Sequence, residues 1–213
     1  DNVVAGANCG ISQMLYAMEG AGVKPNDFVV VQGMGGLGLY TTAICDVMGA
    51  NVIAVDAVDD RLEEAKAFGA KYTIDMKQFP TKEERYAEIT KITGKKGPDI
   101  VVDVAGVPSA FDEAVRMAKI GGTIVEIGNV SIEESQCTSV IPGLIVRKCL
   151  TIKGVLRYQP YYLYRTLQFL ARYHDTYPFD SLTDKCYSLE ETQEALQKAA
   201  NKEVKRAIIE PNQ

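Results

Sequence analysis

The sequence predicts an α/β protein with a doubly wound parallel sheet of six strands, and two observations carry this prediction. Between residues 28 and 156, strand-length runs of apolar and β-branched residues alternate with segments of helical periodicity. Parallel strands need crossover helices between them, so this alternation favours a parallel sheet. The strand-length runs are also continuously apolar, which indicates that helices cover both faces of the sheet.

Each element of the sheet has its own signal. FVVVQ is a β-branched run ended by glycine, and the helix after it has apolar residues at helical spacing before the stop signal at Gly49. The next helix, DRLEEAKAF, starts with a predicted capping box from Asp60 to Glu63 and ends at Gly69. TKEERYAEITKIT has the charged, amphipathic pattern of an exposed helix. The predicted strands are 28–32, 51–56, 72–74, 98–106, 121–128 and 150–156, and the predicted helices are 37–48, 60–68, 81–93 and 109–118.

The pattern changes after residue 156. A tyrosine-rich helix at 161–174, a helix at 188–200 and a strand at 204–211 follow, without the regular alternation of the earlier part. We therefore expect three parts: a short lead-in at 1–10, a sheet domain at 11–156, and a C-terminal segment at 157–213 that belongs to a second, incomplete domain.

Composition argues against several functional classes. The 213 residues have a net charge of −5 and no Lys/Arg cluster, so we expect no nucleic-acid partner. The apolar runs are of strand length, so we expect no membrane partner either. Five cysteines lie far apart without a CxxC pair, which favours a reduced, cytoplasmic protein. The chain begins DNVVAG, without Met, which indicates a fragment of a longer protein, although removal of an initiator Met would give the same start.

A glycine motif follows the first predicted strand and opens the first predicted helix. Gly33, Gly35 and Gly38 have the spacing G-x-G-x-x-G, in which the first glycine allows a sharp turn and the second allows a pyrophosphate to approach the backbone. The third lets the helix pack closely, and the N–H groups at the helix start, including those of Gly36 and Leu37, face the phosphates. The motif in this setting predicts a Rossmann-type dinucleotide site.

Asp56 ends the second strand, eighteen residues after Gly38. A carboxylate at this place accepts hydrogen bonds from the adenosine ribose hydroxyls and repels a 2′-phosphate, so NAD is favoured over NADP. A methyltransferase is an alternative, because it also has a glycine loop and an acidic residue in these positions. The full glycine spacing and the glycines that end the fourth and fifth strands favour a dinucleotide.

Several segments together resemble one enzyme family. CGIS, VVVQGMGGLG, VIAVD, DIVVDVAG, GGTIVEIG, IKGVLRY and VKRAIIEP, in this order, are similar to the zinc-containing medium-chain alcohol dehydrogenases, and IKGVLRY resembles the sorbitol (polyol) dehydrogenase branch. Those enzymes have an N-terminal catalytic domain, so the chain looks like their C-terminal portion. The resemblance implies that the lead-in is a remnant of that domain, that the C-terminal segment returns to it, and that the chain alone is inactive, its catalytic residues being mostly in the absent part.

The resemblance also implies roles for individual residues. Cys9 falls where the family has a ligand of the catalytic zinc, although polyol dehydrogenases usually have Glu there, which leaves the substrate class open. The family's four-cysteine structural zinc loop is not present. Arg61 matches a basic residue beside the adenosine ribose, and Arg206 resembles one that reaches the pyrophosphate.

Further positions would surround the cofactor. Ligands of such sheets bind outside the carboxyl ends of the strands, so the backbones that end the fourth and fifth strands would line the dinucleotide. Val155 and Leu156 resemble the family's residues against the nicotinamide ring, and Arg157 and Tyr158 match the RY of the polyol branch. The expected lining residues are Ala105, Gly106, Ile127, Gly128 and Asn129.

The sequence therefore predicts the NAD-binding portion of a zinc-dependent enzyme that interconverts a secondary alcohol or polyol and a ketone. Two alternatives stay open: a zinc-free quinone or enoyl reductase of the same superfamily, and a non-catalytic NAD-binding module. A homodimer or a higher homo-oligomer is also expected, because the sixth strand would be an apolar sheet edge that needs covering.

Overall fold

The structure is a computed structural model that describes residues 2–94, 96–183, 185–201, 203–204 and 206–211. A 3-10 turn (Asn2–Gly6) and a π-helical turn (Ala7–Ile11) precede the regular elements. The helices are α1 (Ser12–Ala21), α2 (Gly36–Val47), α3 (Asp59–Ala67), α4 (Lys82–Ile92), α5 (Pro108–Met117), α6 (Pro142–Arg147), α7 (Tyr161–Tyr173) and α8 (Thr192–Ala200). The strands are β1 (Phe28–Gln32), β2 (Asn51–Asp56), β3 (Tyr72–Asp75), β4 (Ile100–Asp103), β5 (Thr123–Glu126), β6 (Thr151–Gly154), β7 (Lys185–Tyr187) and β8 (Ala207–Ile209).

Six of these strands form one parallel sheet in the order β3-β2-β1-β4-β5-β6. The chain moves outward from β1 to β3, then returns to the other side of β1 and continues to β6, so the strand order reverses between β1 and β4. The predicted doubly wound sheet of six parallel strands is therefore confirmed. In such sheets the crevice at the reversal point, outside the carboxyl ends of the strands, is where ligands bind.

Helices cover both faces of this sheet, as the continuous apolar runs predict. Alternate residues of each central strand enter two separate cores: Val29 and Val31 of β1 lie in one core, and Val30 lies in the other. α1, α2, α3 and α7 contribute to the first core, whereas α4 and α5 contribute to the second. Side chains on either face of the central strands are therefore buried under helices.

The helix starts differ from the prediction. The capping box predicted from Asp60 to Glu63 is wrong: α3 begins one residue earlier, its N-cap is Val58, and that residue makes no side-chain cap hydrogen bond. The capping box in this part of the chain instead begins α4, where the Thr81 hydroxyl accepts from the Glu84 N–H at 3.2 Å and Glu84 accepts from the Thr81 N–H at 2.9 Å. Acidic side chains in the first turn of α3 still favour its N-terminus through the helix dipole.

Three elements were not predicted. α1 is a buried helix directly after the lead-in, α6 is a short helix before β6, and β7 pairs in parallel with β8 in a separate two-stranded sheet. The strand predicted at 204–211 is present only as β8, and Lys205 within that prediction lies outside the described residues. No helix in the described part of the chain combines the length and apolar character needed to span a membrane.

The first part of the C-terminal segment packs against the sheet domain. Phe179 is 1% exposed, and its ring centroid lies 5.6 Å from that of Phe68 and 6.2 Å from that of Phe169 of α7. The Tyr177 hydroxyl donates to Asp46 of α2 at 2.7 Å. α7 and the turn after it therefore share the first core, while the division of the chain at residues 10 and 156 stays a prediction.

Candidate functional site

The turn after β1 needs glycine at two of the predicted positions. Gly33 has φ +94°, and a Cβ there would lie 2.8 Å from the Ala105 Cα, so both its conformation and its close approach exclude a side chain. A Cβ on Gly38 would overlap the carbonyl oxygen of Gly33 and lie 2.9 Å from its carbonyl carbon. The predicted sharp turn is confirmed, and Gly38 lets the first turn of α2 pack against that turn.

The outer side of the same turn is open. A Cβ on Gly35 or Gly36 would have no heavy atom within 4 Å, and both glycines are exposed. Leu37, half-buried, follows in the first turn of α2. Because the first N–H groups of a helix have no intrahelical acceptors, this opening presents donors and the positive end of the helix dipole to a ligand.

Asp56 joins the glycine turn to the end of β2. It is 7% exposed, and one of its carboxylate oxygens accepts the Met34 N–H at 2.6 Å. The other oxygen accepts the N–H groups of Ala57 and Val58 at 2.8 and 2.9 Å. Arg61 lies alongside, with its guanidinium nitrogen 3.8 Å from the carboxylate. Three of about four acceptor positions of the carboxylate are therefore occupied, which leaves one for a further donor.

The loops after β4 and β5 meet the glycine turn. Ala105 lies against Gly33, and Gly106 has φ +70°. A Cβ on Gly128 would lie 2.6 Å from the Gly106 nitrogen, so the two loops approach backbone to backbone. Ile127 is buried below them. The structure thus brings the turn at 33–38 and the loops at 105–106 and 127–129 to one edge of the sheet.

Two buried acidic residues at this edge were missed by the sequence interpretation. Asp103, 0% exposed, ends β4 and stands in register with Glu126, which ends β5. Burial, followed by the nearby charge of Glu126, raises the pKa of Asp103 to about 7, while the Ala105 N–H and the Asn129 amide oppose this shift. The sequence does contain a signal for this pair, because each of the apolar segments DIVVDVAG and GGTIVEIG has one acidic residue near its carboxyl end.

A second cluster lies at the end of β6. Val155 is buried and its carbonyl accepts from the Gln13 side chain of α1 at 3.2 Å, while Leu156 is 62% exposed. The Tyr158 hydroxyl donates to the Asn8 side chain at 2.5 Å. The cluster borders an open cavity of about 490 Å³. Its lining includes Asn8, Cys9, Gln13, Leu156, Arg157 and Tyr158.

Arg206 lies between the lead-in and the start of α2. Its guanidinium carbon is 5.9 Å from the centroid of the Tyr40 ring, and one guanidinium nitrogen donates to the Ala5 carbonyl at 3.4 Å. Burial raises the pKa of Tyr40, and the positive charge of Arg206 partly offsets this shift. The C-terminal part of the chain thus supplies a cation close to the glycine-rich helix.

Sequence comparison decides the family. Residues 36–172 match the model of the zinc-binding dehydrogenases. The chain belongs to this dehydrogenase family. The resemblance inferred from the sequence is therefore confirmed, and the methyltransferase alternative is excluded.

Relatives of this chain include alcohol and polyol dehydrogenases. It is 32% identical over 196 residues to the 5-exo-hydroxycamphor dehydrogenase of Pseudomonas putida, a match that covers 91% of this chain and 54% of the relative. It is 30% identical over 202 residues to a sorbitol dehydrogenase of Bacillus subtilis, covering 93% and 54%. The alcohol dehydrogenase of Thermotoga maritima has a similar structure, with a TM-score of 0.90 and 26% identity over 99% of this chain and 57% of that one. The chain spans about half the length of the curated relatives it matches.

The described residues of this chain supply at most one ligand of the zinc that the family implies. In the described part of the chain, no group of three His, Cys, Asp or Glu side chains could hold a metal ion. Cys9 is exposed and offers one thiol, whereas a catalytic zinc takes three protein ligands. The predicted metal role of Cys9 therefore stays a prediction that requires ligands from outside the described residues.

Proposed function

We propose that this chain is the NAD-binding portion of a zinc-dependent alcohol or polyol dehydrogenase. The observation that carries the proposal is the hydrogen bond from the Met34 N–H to Asp56, which unites the glycine turn and the acidic end of β2 in one site. When bound, NAD supplies the acceptor of a hydride, at its nicotinamide C4, from a secondary alcohol. The chain's own part in the reaction is to bind and orient this cofactor.

The opening at Gly35 and Gly36 binds the pyrophosphate in this proposal. It has the open space that a phosphate needs, and the N–H groups of Gly36, Leu37 and Gly38 at the start of α2 provide donors. Arg206, 5.9 Å from the Tyr40 ring on the same helix, adds a cation that reaches the same phosphates.

Asp56 binds the adenosine ribose through its remaining acceptor position. A 2′-phosphate in the same place would meet a buried carboxylate, so NAD is preferred over NADP. Arg61 offsets part of this repulsion, but its side chain is 44% exposed and its nitrogen stays 3.8 Å away, so the carboxylate dominates.

The other loops line the rest of the dinucleotide. Ala105 and Gly106 follow β4, and the stretch from Ile127 through Gly128 to Asn129 follows β5, all at the edge where the strand order reverses. Val155 and Leu156, at the end of β6, lie against the nicotinamide ring.

The cavity at the end of β6 is the part of the substrate site that this chain contributes. Arg157 and Tyr158 face it together with Cys9, and the named activities of the two relatives support an alcohol or polyol substrate. We assign to Cys9 one thiolate ligand of a zinc whose other ligands come from outside the described residues.

Calorimetric titration of the chain with NADH and NADPH tests the proposal. We expect NADH to bind at least about tenfold more tightly than NADPH, a difference of roughly 1.4 kcal/mol. Asp56→Asn should weaken NADH binding and reduce the preference for NADH over NADPH. Asn is the milder variant because its one amide oxygen can still accept the Ala57 and Val58 N–H groups, whereas Asp56→Ala would leave three backbone N–H groups without an acceptor. Unchanged selectivity in a folded Asp56→Asn variant would refute the role of Asp56.

We also propose that two copies pair along β6. Among the described strands it pairs with β5 alone, and Ile152 on it is 41% exposed. The strand exposes this apolar side chain together with its unpaired backbone edge, and such edges are commonly covered by another chain. Sedimentation analysis should find a dimer that Ile152→Lys dissociates, and a monomeric parent chain would refute the pairing.

A further inference from the structure

A buried acidic pair connects the two loops that follow β4 and β5. Asp103 and Glu126 end neighbouring parallel strands in register, and Asn129 follows three residues after Glu126. Asp103 is fully buried, although acidic residues are almost never fully buried unless paired. Neither carboxylate has a role in the cofactor contacts proposed above.

The hydrogen bonds of the pair hold both loops. The Ala105 N–H donates to one oxygen of Asp103 at 2.9 Å, and the Asn129 side-chain amide donates to the other at 3.1 Å. The same amide and the Asn129 backbone N–H each donate to Glu126 Oε1 at 3.0 Å. Asn129 therefore joins the two carboxylates, and the pair fixes the backbone on both sides of the contact between Gly106 and Gly128.

No cation among the described residues compensates the charge of this pair. The charged group that acts on Asp103 is Glu126, and no donor among the described residues reaches the buried Oε2 of Glu126. A proton on Asp103 supplies that donor and removes one of two like charges.

The elements packed against β4 and β5 place no unpaired charge beside Asp103 and Glu126 in the part of the chain that the structure describes. On β1, the residue in register is the neutral Gln32. On β6 it is Gly154, and the adjacent Lys153 lies over the Tyr16 ring instead. On α5, Asp112 pairs with Lys82 and Arg116, and Glu113 pairs with Arg85.

We propose that Asp103 and Glu126 share one proton and act, through Asn129, as positioning residues for the two loops at the cofactor edge. With the proton present, both loops have the observed conformation. The proton can leave to solvent through a cavity of about 300 Å³ that is lined in part by Glu126 and Asn129. Its loss places two negative charges side by side and loosens the two loops. This inference rests on the proposed NAD binding, because those loops are expected to line the dinucleotide.

NADH affinity should therefore fall as the pH rises through about 7. If the protonated form alone binds, the affinity falls with the protonated fraction, by roughly tenfold between pH 6 and pH 8. Titration of the chain with NADH across this range measures the slope, and carbon-13 NMR of the Asp103 carboxyl, identified by its loss in Asp103→Asn, measures the proton directly.

Two variants separate a charge effect from a structural one. Asp103→Asn and Glu126→Gln each replace one carboxylate by an amide that can donate to its neighbour, so both should reduce the pH dependence to less than about twofold. Asp99→Asn, at the opposite end of β4, is the matched control and should retain the slope of the parent chain. Thermal melts show whether each variant is folded.

The outcomes distinguish this inference from the proposed function. Absence of NADH binding at every pH refutes the cofactor site, while an Asp103 carboxyl that still titrates near 7 supports the shared proton. Binding with a pH-independent affinity, an unchanged slope in both amide variants, or a carboxyl that titrates near 4 overturns the positioning role.

Discussion

Two glycines of the turn after β1, Gly35 and Gly38, should respond to alanine substitution with opposite changes in stability. Gly35 has φ −73° and ψ −171°, an extended conformation open to any residue, and a Cβ there would contact nothing within 4 Å. A Cβ on Gly38 would overlap the backbone carbonyl of Gly33. Gly35→Ala therefore changes the space in front of the turn, whereas Gly38→Ala changes the turn itself.

The stability effects follow from these contacts. Gly35→Ala should raise the free energy of unfolding by about 0.5 kcal/mol, because alanine restricts the unfolded chain and adopts this backbone without strain. In Gly38→Ala, helix propensity favours alanine by about 0.5–1 kcal/mol, but overpacking against rigid backbone costs about 1–3 kcal/mol or more. The overlap is with backbone atoms, so strain dominates, and we expect a net loss of about 2 kcal/mol.

Urea unfolding at constant m-value measures both changes, and calorimetric titration with NADH measures binding. The Gly35 methyl would occupy the space proposed for the pyrophosphate, so Gly35→Ala should lower NADH affinity by about tenfold or more while the fold becomes slightly more stable. If Gly35→Ala binds NADH as the parent chain does, the proposed phosphate position is refuted. If Gly38→Ala is as stable as the parent chain, the packing argument is wrong.

Three further predictions concern the packing and charge of the fold. Phe179→Ala should lower the free energy of unfolding by about 3–5 kcal/mol in urea, because the ring is buried against Phe68. Glu113→Ala should cost about 3–5 kcal/mol by the same measurement, because it leaves the buried Arg85 guanidinium without the carboxylate that contacts it at 2.7 Å through two nitrogens. For Asp103, whose pKa rises from 3.8 to about 7 on folding, only the unfolded state ionises between these values, so the parent chain loses stability as the pH rises through this window. The advantage of Asp103→Asn in unfolding free energy should therefore grow by up to about 4 kcal/mol from pH 4 to pH 7 and then stay constant, and an advantage that does not change with pH would contradict the shift.

The sheet could be predicted because its signals are local. Each strand is an apolar run between glycines or polar turns, and each run is buried on both faces, so neighbours in sequence are enough to recognise it. β7 could not be recognised in the same way, because it has three residues and forms only against β8, about twenty residues later.

Helix starts were harder to predict than helices. Asp60 and Glu63 have the spacing of a capping box, but α3 begins earlier, where Asp56 accepts the N–H groups of Ala57 and Val58. That arrangement depends on where β2 ends in the sheet. The spacing of residues within the helix cannot predict this start, because the acceptor of these N–H groups, Asp56, lies outside the helix.

The features of the site also fall into those that local sequence predicts and those that depend on the tertiary structure. The glycine spacing, the acidic residue at the end of β2 and the order of the family's segments were sufficient in the sequence alone to predict the sheet and the family, because they lie in consecutive or regularly spaced residues. The tertiary structure alone decided that Asp56 binds the glycine turn and that Cys9 shares a cavity with Leu156. It also decided that Asp103 faces Glu126 with no cation from the described residues beside it. These contacts join residues from 22 to nearly 150 positions apart. Hydrogen bonding and electrostatics act over a few ångströms of space, so only the folded chain could bring such residues within reach of each other. The parallel register of β4 and β5 does this for Asp103 and Glu126, and the packing of the lead-in turn near the end of β6 does it for Cys9 and Leu156.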